Sequence, residues 1–194
     1  MVSLPIFHQT LLPLLITITT LSLVASDPTD GFTPLSFSNS NIQIQTPYDV
    51  PQNQRYSYSN GVHRFWVYST DKPHTSSSQT APRSEMRITG YDYSSGVWQF
   101  EGHFSVPSGV YGGSLTHYQS ATLEQNIYNK WYRFNVIHDV GANNVKIFIN
   151  GVKKFDGNGR GAGNHYFKCG VYAQNGASNY MESRWRDIKI FRKY

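Results

Sequence analysis

Two short stretches of the sequence carry the side chains that could do chemistry, and the richer one spans residues 165–175. Side chains alternate between the two faces of a β-strand, so one face collects two phenols, a cation and an amide: Tyr166, Lys168, Tyr172 and Gln174. The other face is small and apolar and indicates the core side of the strand: Phe167, Cys169, Val171 and Ala173. Gly170 interrupts the polar face, and glycine inside a strand is typical of a bulge or of close approach by a ligand or another backbone. The alternative is a half-exposed strand with a polar outer face.

The second stretch places two guanidinium groups and a carboxylate at alternate positions. Arg83, Glu85 and Arg87 share one face of a predicted strand because they are two residues apart. Glu85 can orient both guanidinium groups through charge-assisted hydrogen bonds. The alternative interpretation is a surface ladder of salt bridges.

The composition favours an acidic partner. The 194 residues carry a formal net charge of +5, and 15% of them are aromatic. A basic surface attracts nucleic acids, anionic membranes or polyanionic sugars. The sequence has no Lys/Arg run of the nucleic-acid type, so we expect no nucleic acid partner, and the aromatic residues favour an acidic polysaccharide. The alternative is a basic secreted domain without a specific anion.

The N-terminus predicts a secretory signal peptide. Residues 10–25 are uncharged, interrupted by Pro13, and too short for a confident membrane span. Small residues around Ser26 suggest a cleavage site, so residues 1–26 form the signal peptide and residues 27–194 form one domain. We expect a monomer without a membrane span after signal removal, in the cell wall or other extracellular space, or in the vacuole. Cys169 is the single cysteine, which excludes an internal disulfide, and its position indicates a small buried hydrophobe.

Many short alternating segments predict an all-β fold without a long helix. The predicted strands cover residues 41–46, 62–69, 83–89, 97–106, 129–140, 145–150, 152–155, 165–175 and 184–192. Asn150-Gly151 between two strand segments predicts a tight β-hairpin with a primed turn. Residues 156–161 are rich in glycine and predict a flexible loop. Closely spaced strands favour an antiparallel two-sheet sandwich or jelly roll.

Residues 83–87 and 166–174 resemble the two signature strands of the alginate lyases of polysaccharide lyase family 7. Residues 126–131, 135–140 and 179–185 are similar, more specifically, to the plant citrate-binding proteins, which share that domain. The resemblance runs from about Thr33 to the C-terminus. It implies a concanavalin-A-like β-jelly roll whose concave sheet forms a groove for an acidic sugar chain.

The resemblance also implies roles for individual residues. A lyase of this family cleaves a polyuronate by β-elimination, in which cations and amide donors neutralise the carboxylate and a tyrosine acts as base and acid. Arg83 and Tyr172 match the catalytic arginine and tyrosine. The groove side chains implied to bind substrate are Glu85, Arg87, Tyr166, Lys168 and Gln174. No cofactor or metal is implied.

The sequence departs from the family in one strand. Family lyases carry a Gln-x-His strand that completes the neutralising site, and this sequence contains no Gln-x-His. Residues 106–113 run directly into residues 114–119, so a pair of strands is expected to be missing and the jelly roll to be incomplete. His117 and Gln119 are separated by one residue, as in Gln-x-His, but in the reversed order. They are weak candidates to replace that pair. A truncated gene model or a splice variant would explain the deletion.

Two classes of function remain open at this point. The first is a non-catalytic module that binds citrate-like acids or uronate chains through Arg83, Arg87 and Lys168. The second is a polysaccharide lyase that cleaves a polyuronate such as alginate or glucuronan. The missing Gln-x-His strand favours binding. His138 and Asp139 precede Gly141 at a strand end, where a turn-forming role is expected.

Overall fold

The computed structural model describes residues 26–109, 114–116, 122–173 and 178–194. The predicted signal peptide, apart from Ser26, lies outside these residues, as do Gln174, His117 and Gln119. Within them there is no α-helix, only 3₁₀ turns at Asn39–Asn41 and Gln52–Gln54. No helix in the described residues has the length and apolar character needed to cross a bilayer. The expected all-β class is confirmed.

Thirteen strands are present in the described residues. They are β1 (Thr33–Pro34), β2 (Ile42–Gln45), β3 (Tyr56–Ser59), β4 (Val62–Tyr68), β5 (Arg83–Ile88), β6 (Val97–Ser105), β7 (Ser114–Thr116), β8 (Thr122–Gln125), β9 (Tyr132–Asp139), β10 (Asn144–Ile149), β11 (Val152–Asn158), β12 (Lys168–Tyr172) and β13 (Tyr180–Lys193). The loop predicted at residues 156–161 is therefore wrong in its first half, because residues 156–158 pair with β10 at the end of β11.

The strands form two facing sheets and a small separate hairpin. The outer sheet has the order β11-β10-β9-β6-β13-β4-β3, with β1 added to β13. The groove sheet has three strands in the described residues, in the order β12-β5-β2, and β7 pairs with β8. Every pairing between these strands is antiparallel, as predicted.

The core lies between the groove sheet and the β4, β6 and β13 strands of the outer sheet. Phe65 and Val67 of β4 face Met86 of β5, and all three are fully buried. Cys169 and Val171 of β12 are also buried, as the alternation of residues 165–175 predicted. Burial raises the pKa of the Cys169 thiol far above its usual range, which keeps it in the unreactive thiol form. The groove sheet is thereby fixed with its polar face outward.

Two hairpins carry the same Asn-Gly turn. Asn150 and Gly151 both have positive φ, 51° and 81°, which confirms the predicted primed turn. Asn60 and Gly61 have φ values of 50° and 77° and connect β3 to β4 in the same way. β3 was not predicted from the sequence, although this second Asn-Gly pair was a sufficient signal for it.

Candidate functional site

The register between β12 and β5 brings the two chemically active stretches together. Lys168 lies opposite Arg87, Gly170 opposite Glu85, and Tyr172 opposite Arg83. Directly opposite residues of antiparallel strands share a face. Six of the seven predicted site residues are placed on or beside this face: Arg83, Glu85, Arg87, Tyr166, Lys168 and Tyr172.

Gly170 lets β12 approach the backbone of β5 at the centre of this face. Its φ is +154°, and a Cβ added there would lie 2.4 Å from both Glu85 Cα and Ser84 O. The close approach of another backbone, one of the three predicted reasons for this glycine, is confirmed. With no side chain opposite Glu85, its carboxylate lies between the side chains of Lys168 and Tyr172.

Glu85 is the centre of a small network of ionic hydrogen bonds. It is 3% exposed and accepts hydrogen bonds from Lys168 Nζ at 2.8 Å, Arg83 Nη1 at 3.4 Å and Tyr172 Oη at 3.4 Å. Lys168 also donates to Gln45 Oε1 at 2.7 Å. Two cations share one carboxylate, so these three charged groups retain a formal charge of +1 that can attract an anion.

The guanidinium and ammonium groups are also held by phenol rings. The Arg83 guanidinium carbon lies 4.5 Å from the ring centroid of Tyr172, and that of Arg87 lies 4.2 Å from the ring of Tyr166. The Lys168 Nζ is 5.5 Å from the same Tyr166 ring. Cations at these distances are attracted by the ring faces. Tyr166 and Tyr172 are 43% and 40% exposed, so the site is open to solvent on this side.

The predicted pairing of Glu85 with both arginines is half right. Glu85 pairs with Arg83, while Arg87 forms its ion pair with Asp92, in the loop after β5. Lys168 takes the place on Glu85 that was expected for Arg87. Arg87 is therefore partly neutralised, and Arg83 and Lys168 are the cations nearest the centre of the site.

Comparison with known proteins identifies the family. The family model described as "Alginate lyase" matches residues 35–119 and 107–192, which together span most of the chain. The chain belongs to the alginate lyase family. A "Citrate-binding protein" from Hevea brasiliensis is 50% identical over 191 residues, covering 87% of this chain and 80% of the relative. The similarity inferred from residues 83–87 and 166–174 is thus confirmed.

Solved structures of alginate lyases share the fold. The alginate lyase from Corynebacterium sp. superimposes with a TM-score of 0.62 at 16% identity, covering 77% of this chain and 93% of that chain. Alginate lyase A1-II' in complex with the substrate GGMG gives a TM-score of 0.59 at 13% identity, covering 81% of this chain and 95% of that chain. The predicted jelly roll is confirmed. These neighbours include complexes with oligosaccharide substrate and product.

The alignment with the Hevea relative has more positions than the number of residues that this chain contributes to it. Since 87% of 194 residues is about 169, about 22 of the 191 aligned positions stand opposite gaps in this chain. The alginate lyase model matches in two segments that overlap at residues 107–119, where the sequence analysis expects the missing strands. Both observations support an internal deletion relative to the family.

Tyr172, which only the sequence resemblance matches to the family's catalytic tyrosine, lies in surroundings that retain its proton. Burial and the nearby Glu85 carboxylate raise the pKa of Tyr172 to about 12. The Arg83 guanidinium acts in the opposite direction but does not offset them. A general base works best when its pKa lies near the operating pH. The phenol of Tyr172 is therefore a hydrogen-bond donor at neutral pH.

The Tyr172→Phe variant tests this state of the phenol. We expect the tyrosinate absorbance of wild type and variant to coincide between about pH 7 and pH 10 and to separate only as the pH approaches 12, because an ordinary phenol ionises near pH 10. The measurement is a spectrophotometric pH titration of both proteins, with circular dichroism to confirm the fold. Loss of tyrosinate absorbance in the variant already near pH 8 would show an activated phenol.

A histidine pair beside the site was not predicted. His138, on β9, accepts or donates a hydrogen bond with Tyr93 Oη through Nδ1 at 3.0 Å, and its ring meets that of His165 edge-on at 4.6 Å. Burial lowers the pKa of His138, and His165 lowers it further, against the opposing effect of Asp139. The expected turn role fits Asp139, which accepts a hydrogen bond from Ala142 N, but is wrong for His138. His138 continues the face of Phe134 and Val136 at a spacing of two residues, which was a usable signal.

Proposed function

We propose that this alginate-lyase-like module binds carboxylate-rich ligands, either citrate-like acids or short uronate chains, without turning them over. The ligand carboxylate would meet Arg83 and Lys168, with the Tyr172 hydroxyl as a further donor. The relative from Hevea brasiliensis named as a citrate-binding protein supports this ligand class. The formal charge of +1 around Glu85 supplies the attraction.

One observation carries the preference for binding over catalysis. Tyr172 donates to the Glu85 carboxylate, and the pKa of Tyr172 is raised to about 12. Abstraction of the C5 proton of a uronate needs a deprotonated base, and at neutral pH this phenol is protonated. The arrangement suits recognition of a carboxylate rather than β-elimination.

The donors that would stabilise the transition state are also fewer than a lyase of this family carries. The sequence contains no Gln-x-His, and the described strands of the groove sheet are β2, β5 and β12. Loss of one donor to a developing anion typically lowers the rate about 100- to 1000-fold. The amide and the imidazole are lost together here, so the expected turnover is negligible.

A polysaccharide lyase acting on alginate or glucuronan is the second candidate. The family membership favours it, as do Arg83, Lys168 and Tyr172 on one face of the groove sheet. The two candidates differ in one observable, since only a lyase produces an unsaturated uronate end. Binding affinity alone does not separate them.

The test of turnover uses the purified mature protein. We expect no increase in ultraviolet absorbance from unsaturated product when it is incubated with alginate or glucuronan, whereas an active alginate lyase assayed in parallel produces one. Product formation by the wild type that disappears in Tyr172→Phe would establish the lyase instead.

Binding should depend on salt. Citrate affinity is expected to fall several-fold between about 50 mM and 500 mM NaCl, since the screening length shortens from more than 10 Å to less than 8 Å. Calorimetric titration at the two salt concentrations checks this. An affinity that does not change with salt would contradict recognition by exposed cations.

We also propose that the protein travels the secretory pathway and acts as a monomer in the cell wall or the vacuole. The uncharged residues 10–25 and the plant origin of the Hevea relative support this route. Cleavage is expected near Ser26, which N-terminal sequencing of the secreted protein would locate.

A further inference from the structure

One part of the inner face of the outer sheet is covered less than the rest. Phe100 and Phe104 of β6 are each 2% exposed, whereas Phe134 and Val136 of β9 and Val145 of β10 are only half-buried. The groove sheet packs mainly on β4 and β13, and its three described strands do not extend across β9 and β10. Apolar side chains are thus left without full cover between the sheets.

Among the described residues, one edge of β12 beside this region has no strand paired to it. Phe167 O accepts from Ile88 N, and Ala173 N donates to Pro82 O, so odd-numbered residues of the segment direct their backbone groups toward β5. The alternation of an antiparallel ladder then directs the N–H and C=O groups of Lys168, Gly170 and Tyr172 away from β5. Among the described strands, β12 pairs with β5 alone.

A cavity of about 1020 Å³ borders this edge. It is lined on one side by the cationic face, including Arg83, Lys168 and Gly170, and on the other by Phe134, Val136, Val145 and Trp185. The volume is at the upper end of the range typical of small-molecule sites. Its far wall includes His138, 7% exposed, whose Nε2 has no hydrogen-bond partner among the described residues.

We propose that this cavity binds an amphipathic monocarboxylate, with the carboxylate on Arg83 and Lys168 and an apolar chain extending past Gly170 between the sheets. Phe134, Val136 and Val145 give the chain an apolar wall, which a fully hydrated acid such as citrate does not use. This inference rests on the proposed function for its carboxylate contacts and adds the apolar half of the ligand.

The experiment is a calorimetric series with butyrate, hexanoate and octanoate on the full-length mature protein, each below its micelle concentration, with citrate in parallel. Burial of a methylene contributes about 0.8 kcal/mol, which corresponds to about fourfold in affinity. We expect affinity to rise with chain length by at least tenfold from butyrate to octanoate, and octanoate to compete with citrate. Equal affinities along the series would overturn the inference.

Two variants keep the result interpretable. Ala162→Trp fills the cavity from an exposed loop residue, and Val145→Phe fills it from the wall of β10. Each folded variant should weaken octanoate at least tenfold and leave citrate unchanged, whereas Arg83→Gln should weaken both. Octanoate affinity unchanged in both filled variants would refute the cavity as its site. If citrate binds but affinity does not change with chain length, the apolar part of the site is refuted and the proposed function stands. If neither citrate nor octanoate binds, the proposed function is refuted as well.

Discussion

Replacement of Arg83 with glutamine is expected to lower the affinity for citrate or a short oligouronate about 10- to 150-fold. Arg83 is held on Glu85 and Tyr172 and contributes a charge-assisted hydrogen bond to a bound carboxylate, which is worth about 1.5–3 kcal/mol. Calorimetric titration of wild type and variant with the same ligand measures the difference. Tyr172→Phe, which removes only a neutral donor, should change affinity by less than about fivefold.

A matched control separates the site from the overall charge. Arg186→Gln removes the same charge from β13, where Arg186 stacks over Trp131 and its side chain is 42% exposed. Its ligand affinity should stay within about twofold of wild type. Equal losses in the two variants would mean that net charge, and not the Glu85 cluster, determines binding.

Gly170→Ala is expected to destabilise the protein by about 3 kcal/mol or more. The added Cβ would lie 2.4 Å from backbone atoms of Glu85 and Ser84, and neither strand can move without disturbing the groove sheet. For a domain of this length, such a loss lowers the melting temperature by roughly 6–12 °C. Thermal unfolding followed by circular dichroism measures it.

Gly163→Ala is the matched control for this prediction. Gly163 has the same φ of +154°, but a Cβ there would have no atom within 4 Å. It shares the backbone strain of Gly170 without the steric clash, so its effect should be about 1 kcal/mol. If the two variants unfold at the same temperature, the close approach of β12 to β5 does not limit stability.

Alternation along a strand predicted most of the fold because one face of most strands is buried. It failed where the alternation changes phase. In β13, Trp185 belongs to the hydrophobic core, but from the irregularity between Arg186 and Lys189 onward the core residues are Ile188 and Ile190, which have the opposite parity. Asp187 has a φ of +54° at this point. A period of two cannot be followed across such a bulge, which lies inside the predicted residues 184–192 of this 14-residue strand.

The site was predictable within each strand and not between them. The spacing in residues 83–87 and 166–172 fixed which side chains share a face. The sequence did not indicate that Lys168 would replace Arg87 on Glu85, because that depends on the register between strands about 80 residues apart. The contact of Tyr93, His138 and His165 joins three separate segments and was missed for the same reason.

Binding without turnover can be tested by one calorimetric titration of a short oligouronate into the purified mature protein at neutral pH. A module that binds without turnover gives heats that saturate and return to baseline after each injection, and the ligand is recovered without an unsaturated end. A lyase gives a heat flow that persists until substrate is exhausted, with unsaturated product in the cell. We expect the saturating isotherm, and sustained heat flow with product would contradict binding without turnover.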